Sequence, residues 1–131
     1  MMLKAVFFDM GGTIDTFRYT REQRVLAVSA VRECLSRTGI ITTCSDTCLA
    51  DMITAGTSEY LRWNMVTNVE LKPAEIWSTY FLKDLHIDPA DLEPIAEELA
   101  FIYETRLFTR EMRPEIPEVL EEIKQLGLKI G

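Results

Sequence analysis

The sequence predicts an α/β protein, mostly helical by content, in which two short strands flank a long helical tract. Three observations carry that expectation. "LKAVFFD", residues 3–9, is a mostly apolar run of strand length that ends in an aspartate, with two glycines after the next residue. The tract from 16 to 110 repeats apolar side chains at helical spacing, punctuated by helix start and stop signals. The closing segment "EIPEVLEEIKQLGLKIG" reads as a helix ended by glycine and followed by a new strand, the return leg of a βαβ unit.

Each element has its own justification. The first run is apolar at successive positions, as in a strand covered on both faces of a parallel sheet. From Thr20 to Thr38, "TREQRVLAVSAVRECLSRT" sets Val25, Val28, Val31 and Leu35 on one stripe, and Gly39 stands where a helix would end. A second helix starts at Ser45 or Asp46 and runs to about Asn64, with Gly56 inside it at a cost of about 1 kcal/mol relative to alanine. A third opens at Pro73, a favourable first helical position, with Ile76, Trp77, Tyr80 and Phe81 as its apolar stripe. Asp88 and Pro89 signal the next start. Leu92, Ile95, Ala96, Leu99 and Ile102 then line one face of a long helix ending near Phe108, Pro94 being close enough to its beginning to be tolerated. Pro117 opens the last helix, Val119, Leu120 and Ile123 face inward, and Gly127 ends it before "LKIG" resumes a strand. The expected division is therefore 1–15 for the first strand and its loop, 16–110 for the helical part, and 111–131 for the last helix and the start of a second strand.

Composition sets bounds on function. A chain of 131 residues, 47% hydrophobic and 27% charged, buries a core of its own and is neither disordered nor fibrous. No apolar run approaches the roughly 18 residues of a membrane span, and the first residues lack the pattern of a signal peptide, so a cytoplasmic protein without a membrane partner is expected. The net charge of -7 argues against non-specific attraction to nucleic acid. An anionic ligand would need a local positive site. Cys34, Cys44 and Cys48 are an odd number for a disulfide framework, and with His86 as the only histidine they lack the ligand count of a structural zinc site.

The chemistry concentrates in "VFFDMGGTID", residues 6–15. A carboxylate at the carboxyl end of a parallel strand sits in the crevice where open α/β sheets bind ligands. Asp9 is in that position, a side chain able to attack a phosphoryl group and to ligate Mg²⁺. Gly11 and Gly12 let the backbone turn and bring N–H groups against phosphate oxygens. Thr13 is expected to fasten the loop through its hydroxyl and Asp15 to cap the next turn. Arg18, Arg21 and Arg24, three apart, suit an anionic substrate as well as a solvated helix face, with Arg18 nearest Asp9 in sequence. Trp63, Trp77, Tyr60, Tyr80 and Phe81 suit core packing better than a substrate pocket, and His86 reads as a surface or helix-end residue.

"FFDMGGTID" resembles the first motif of the haloacid dehalogenase-like (HAD) hydrolases, D-x-D-G-T-hydrophobic-D, and the tail "EVLEEIKQLGLKIG" resembles that family's approach to its second strand. The resemblance implies a Rossmann-like core, of which this chain holds the first two strands, with a helical cap inserted after the first. It implies a magnesium-dependent phosphatase acting on a small phosphorylated metabolite through an aspartyl-phosphate on Asp9. It implies also that the Gly11 carbonyl is a second metal ligand, that the amides of Met10 and Gly11 approach the phosphate, and that Gly12 and Thr13 support the loop. The pattern departs at Gly11, where the family has a second aspartate that protonates the leaving group and activates water. Three readings follow: a substrate with a good leaving group, an acid or base supplied by the cap, or a degenerate member that binds protein partners. The family's remaining catalytic groups would lie beyond Gly131, so residues 1–131 alone are expected to be inactive and either to self-associate through an exposed sheet edge or to be stabilised mainly by the cap helices.

Overall fold

The computed structural model describes residues 3–131. In chain order its elements are β1 (Ala5–Val6), β2 (Asp15–Arg18), α1 (Arg21–Arg37), α2 (Asp46–Thr67), α3 (Pro73–Ile76), α4 (Pro89–Leu92), α5 (Ala96–Arg106), β3 (Thr109–Met112), α6 (Ile116–Gln125) and β4 (Lys129–Ile130). The described chain is thus mostly helical with a few short strands, and its contacts divide it into two units: residues up to Arg18 with Thr109–Gly131, and Tyr19–Phe108.

The first unit holds all four strands. β1 pairs with β4 in parallel, Ala5 opposite Lys129 and Val6 opposite Ile130. β2 pairs with β3 in an antiparallel ribbon, Asp15 opposite Met112 and Arg18 opposite Thr109. Two expectations need correction here. "LKAVFFD" is not covered on both faces: the regular strand is only Ala5–Val6, and Phe7 is 82% exposed, its ring lying beside Gly131. The β2–β3 ribbon has no counterpart in the sequence reading, since "DTFR" and "TREM" are mostly exposed and show no apolar alternation.

The second unit is helical and holds the whole hydrophobic core cluster. Thr20 caps α1 by accepting the Gln23 amide at 3.1 Å, which satisfies one of the free N–H groups of the first turn. Val28, Val31 and Leu35 are fully buried on the predicted stripe, while Val25 is half-buried. Ser45 caps α2 in the same manner through the Cys48 amide, and α2 runs to Thr67, a turn beyond the expected end, where Asn68 takes a left-handed conformation at φ 52°. α3 opens at Pro73 as expected but widens after four residues into a π turn, Trp77–Phe81, in which the Leu82 amide donates to the Trp77 carbonyl at 2.8 Å. The long helix expected to carry Leu92 to Ile102 is broken. Pro94 has no amide hydrogen and its ring crowds the preceding turn, so the chain passes from α4 through a 3₁₀ turn, Glu93–Ile95, before α5 begins. Leu92, Ile95, Ala96, Leu99 and Ile102 are nonetheless all buried, because the break preserves the face they share.

Candidate active site

Asp9 stands directly past the parallel ladder. The Phe8 amide donates to the Gly131 carbonyl at 2.8 Å, and the Gly131 amide to that of Val6 at 3.0 Å. The next residue, Asp9, therefore emerges exposed at the carboxyl end of both strands.

The loop that follows is closed by one acceptor. The Met10 carbonyl receives the amides of Thr13, Ile14 and Asp15 at 3.3, 3.0 and 3.2 Å, and the Gly12 amide donates to Asp15 O at 2.9 Å. Gly12 sits at φ +81°, a left-handed conformation that disfavours any side chain, and so supplies the turn. Gly11 does not: its backbone needs no positive φ, and a Cβ built there would meet nothing within 4 Å. Thr13 is exposed and contributes its amide; its hydroxyl makes no hydrogen bond among the described residues. Among the same residues nothing hydrogen-bonds to the Asp9 carboxylate or to the amides of Met10 and Gly11. A carboxylate and two neighbouring N–H donors are thus held open on a loop whose shape is fixed elsewhere.

Arginines brace that loop from the returning chain. Arg113 donates from Nη1 to the Gly12 carbonyl at 3.2 Å, while its own amide reaches Ile14 O at 3.0 Å. The Arg113 side chain is steadied by Glu115, 2.7 Å from Nε; Glu115 is held below the usual carboxylate range by its own backbone N–H first and by Arg113 second. Asp15 does not cap a turn as the sequence suggested. It lies in β2, buried, and its Oδ2 accepts from Arg110 Nη1 at 3.1 Å, so it ties β2 to β3. Sequence reasoning missed Arg110 and Arg113, because only the antiparallel register brings "TREMR" beside "GGTID". The sole signal was a pair of arginines three apart in the returning segment.

The three arginines after the loop separate. Arg18, the expected substrate ligand, ends β2 and is exposed. Arg21 forms a bidentate pair with Asp51, at 3.1 and 2.7 Å, whose hydrogen bonds hold the Asp51 carboxyl below its ordinary value. Arg24 is buried in the helical unit, its guanidinium 3.6 Å above the Tyr19 ring and its Nη1 2.7 Å from the Thr54 hydroxyl; its Nε has no partner among the described residues. Trp77, Tyr80, Phe81 and Tyr60 belong to the core, and Trp63 packs against it. His86 is exposed at φ 52° after a 3₁₀ turn, and the three cysteines are free thiols.

Oxygen donors suited to Mg²⁺ are present in the Asp9 carboxylate and the Gly11 carbonyl, and Mg²⁺ is commonly bound through one or two carboxylates with waters and substrate phosphate. Among the described residues no group of three or more acidic, histidine or cysteine side chains gathers around them. No helix of the described chain is long and apolar enough to cross a membrane. Comparison with family models, with curated proteins and with solved structures found no match.

Proposed function

We propose that the chain carries the nucleophile loop of a HAD-like phosphohydrolase, in which Asp9 attacks the phosphorus of a small phosphate monoester. The observation that carries this reading is the open Asp9 carboxylate at the end of the parallel strand pair, followed by two amides free to meet phosphate oxygens. An Asp9 oxygen forms a bond to phosphorus as the ester P–O bond breaks, and the leaving oxygen departs with the electron pair. Water then cleaves the acyl phosphate, releasing inorganic phosphate and restoring Asp9. The Met10 and Gly11 amides stabilise charge on the equatorial oxygens. Mg²⁺, held by Asp9 and the Gly11 carbonyl together with the substrate, would neutralise phosphate charge. No side chain at position 11 delivers a proton to the leaving group, which favours substrates whose leaving group departs without one.

The test is hydrolysis of para-nitrophenyl phosphate with Mg²⁺ by residues 1–131 and by any longer product of the same reading frame, each beside its Asp9→Asn form. Turnover that disappears with Asp9→Asn is the expected result. Turnover that persists in Asp9→Asn, or silence from every folded length, overturns the proposal. Silence would leave a second reading, a non-catalytic association module, which draws support from the first unit's exposed apolar side chains: Leu3, Phe7, Met112 and Leu126.

A further inference from the structure

Helix α1 carries Arg21, Arg24, Arg32 and Arg37, and all but one are paired with carboxylates: Arg21 with Asp51, Arg32 with Asp46 and Arg37 with Glu98. Those ion pairs reach solvent. Arg24 is 5% exposed, and among the described residues no carboxylate pairs with it. Burial and compensation are therefore inverted along the helix: the guanidinium that water reaches least is the one left without a counter-ion. Arginine is almost never buried unless paired, because a charge withdrawn from water without a partner is strongly destabilising.

The surroundings of Arg24 fix its guanidinium without satisfying it. Nη1 donates to the Thr54 hydroxyl at 2.7 Å, and that hydroxyl donates in turn to the Ala50 carbonyl at 2.8 Å, so Thr54 is an oriented acceptor. The guanidinium carbon lies 3.6 Å from the centre of the Tyr19 ring and 5.2 Å from that of Phe108. Aromatic rings attract a cation through its face. The N–H bonds, however, lie in the guanidinium plane and need acceptors there. Nε is buried with no partner, and Nη2 makes no hydrogen bond among the described residues. The charge is felt at Tyr103, where burial raises the hydroxyl above its ordinary value while the bond to Thr57 and then Arg24 oppose that rise.

Nε and Nη2 together form the side-on edge of the guanidinium, two parallel donors that match two oxygens of a carboxylate or phosphate. An orphaned buried donor calls for a partner that the chain itself does not supply. We propose that Arg24 anchors an oxyanion site in the helical unit, holding two oxygens of a small phosphate or carboxylate on that edge. Tyr19, 51% exposed while its ring covers the guanidinium, is the side chain that moves to admit the ligand. Sequence spacing put Arg18 first among three arginines for an anion; burial and the missing counter-ion transfer that role to Arg24. The proposal goes beyond the phosphohydrolase reading and does not depend on it.

The experiment follows the thermal midpoint of intact residues 1–131, without Mg²⁺, as phosphate or acetate is added and sodium chloride of equal ionic strength serves as control. Saturable stabilisation by at least one oxyanion, about 3 °C or more beyond chloride at about 20 mM, is expected for a dissociation constant near ~1 mM. The more effective of the two identifies the head group that the site prefers. Arg24→Met keeps the apolar stem without the charge and should abolish the response. Arg24→Lys keeps the charge without the fork and should weaken binding about tenfold, which decides the matter if methionine prevents folding. Stabilisation no greater than that of chloride by either oxyanion overturns the proposal. So does an undiminished response in Arg24→Met or Arg24→Lys, which would assign binding elsewhere, the Met10 and Gly11 amides included.

Discussion

Position 11 is where the loop departs from the motif it resembles, and its geometry says what the departure costs. Gly12 needs its left-handed backbone; Gly11 has an ordinary one with open space around it. An aspartate therefore fits at 11 without strain. If Asp9 is the nucleophile and the chain lacks only a proton donor, Gly11→Asp should raise hydrolysis of an alkyl phosphate by about 10²–10⁴-fold in whichever length of chain turns over. Para-nitrophenyl phosphate, whose leaving group needs no proton, should gain far less. The ratio of the two rates is the measurement, and equal gains on both substrates would exclude a general-acid role for that side chain. Asp9 and Gly12 were legible from residue type alone, because a carboxylate at a strand end and a glycine turn are local features. Asp15 was not, because its role comes from Arg110, which lies 95 residues away in sequence.

α1, whose signals are local, came out as read, and the β2–β3 ribbon, set by distant partners, did not. α1 follows its apolar stripe and its threonine cap within one residue. The β2–β3 ribbon has no such stripe, and its pairing depends on register across nearly the whole chain. Pro94 was expected to be tolerated and instead broke the helix, because it falls past the first turn that begins at Pro89. Gly56 shows the same limit from the other side. By helix propensity it is a defect, and alanine there should gain about 1 kcal/mol. The packing reverses that sign, since the new methyl would collide with backbone at Tyr80 and Phe81, which cannot swing aside as a side chain can. Overpacking of this kind costs about 1–3 kcal/mol or more. Gly56→Ala should therefore destabilise the protein in urea titration. A stabilised Gly56→Ala variant would mean that α2 and the π turn lie further apart than described.

On the scale of the whole chain, burial is unevenly shared. Every member of the hydrophobic core cluster lies between Ala27 and Leu107. Of the described residues in the first unit, Ile116 is the one buried apolar side chain, and its parallel sheet has two strands, fewer than independent stability requires. Stability should therefore reside in Tyr19–Phe108. The ends of that segment already meet, with the Tyr19 and Phe108 rings in edge contact at 5.8 Å, so excision opens no long span. Residues 19–108 expressed alone should melt cooperatively within about 5 °C of the full chain, a difference of roughly 1 kcal/mol for a segment of this size. A fragment with helical far-ultraviolet dichroism but no cooperative transition would show that the strand-bearing unit supplies stability beyond what its buried surface accounts for. Retained cooperative folding would instead place the stability in the helical segment and leave the Asp9 loop to the other unit.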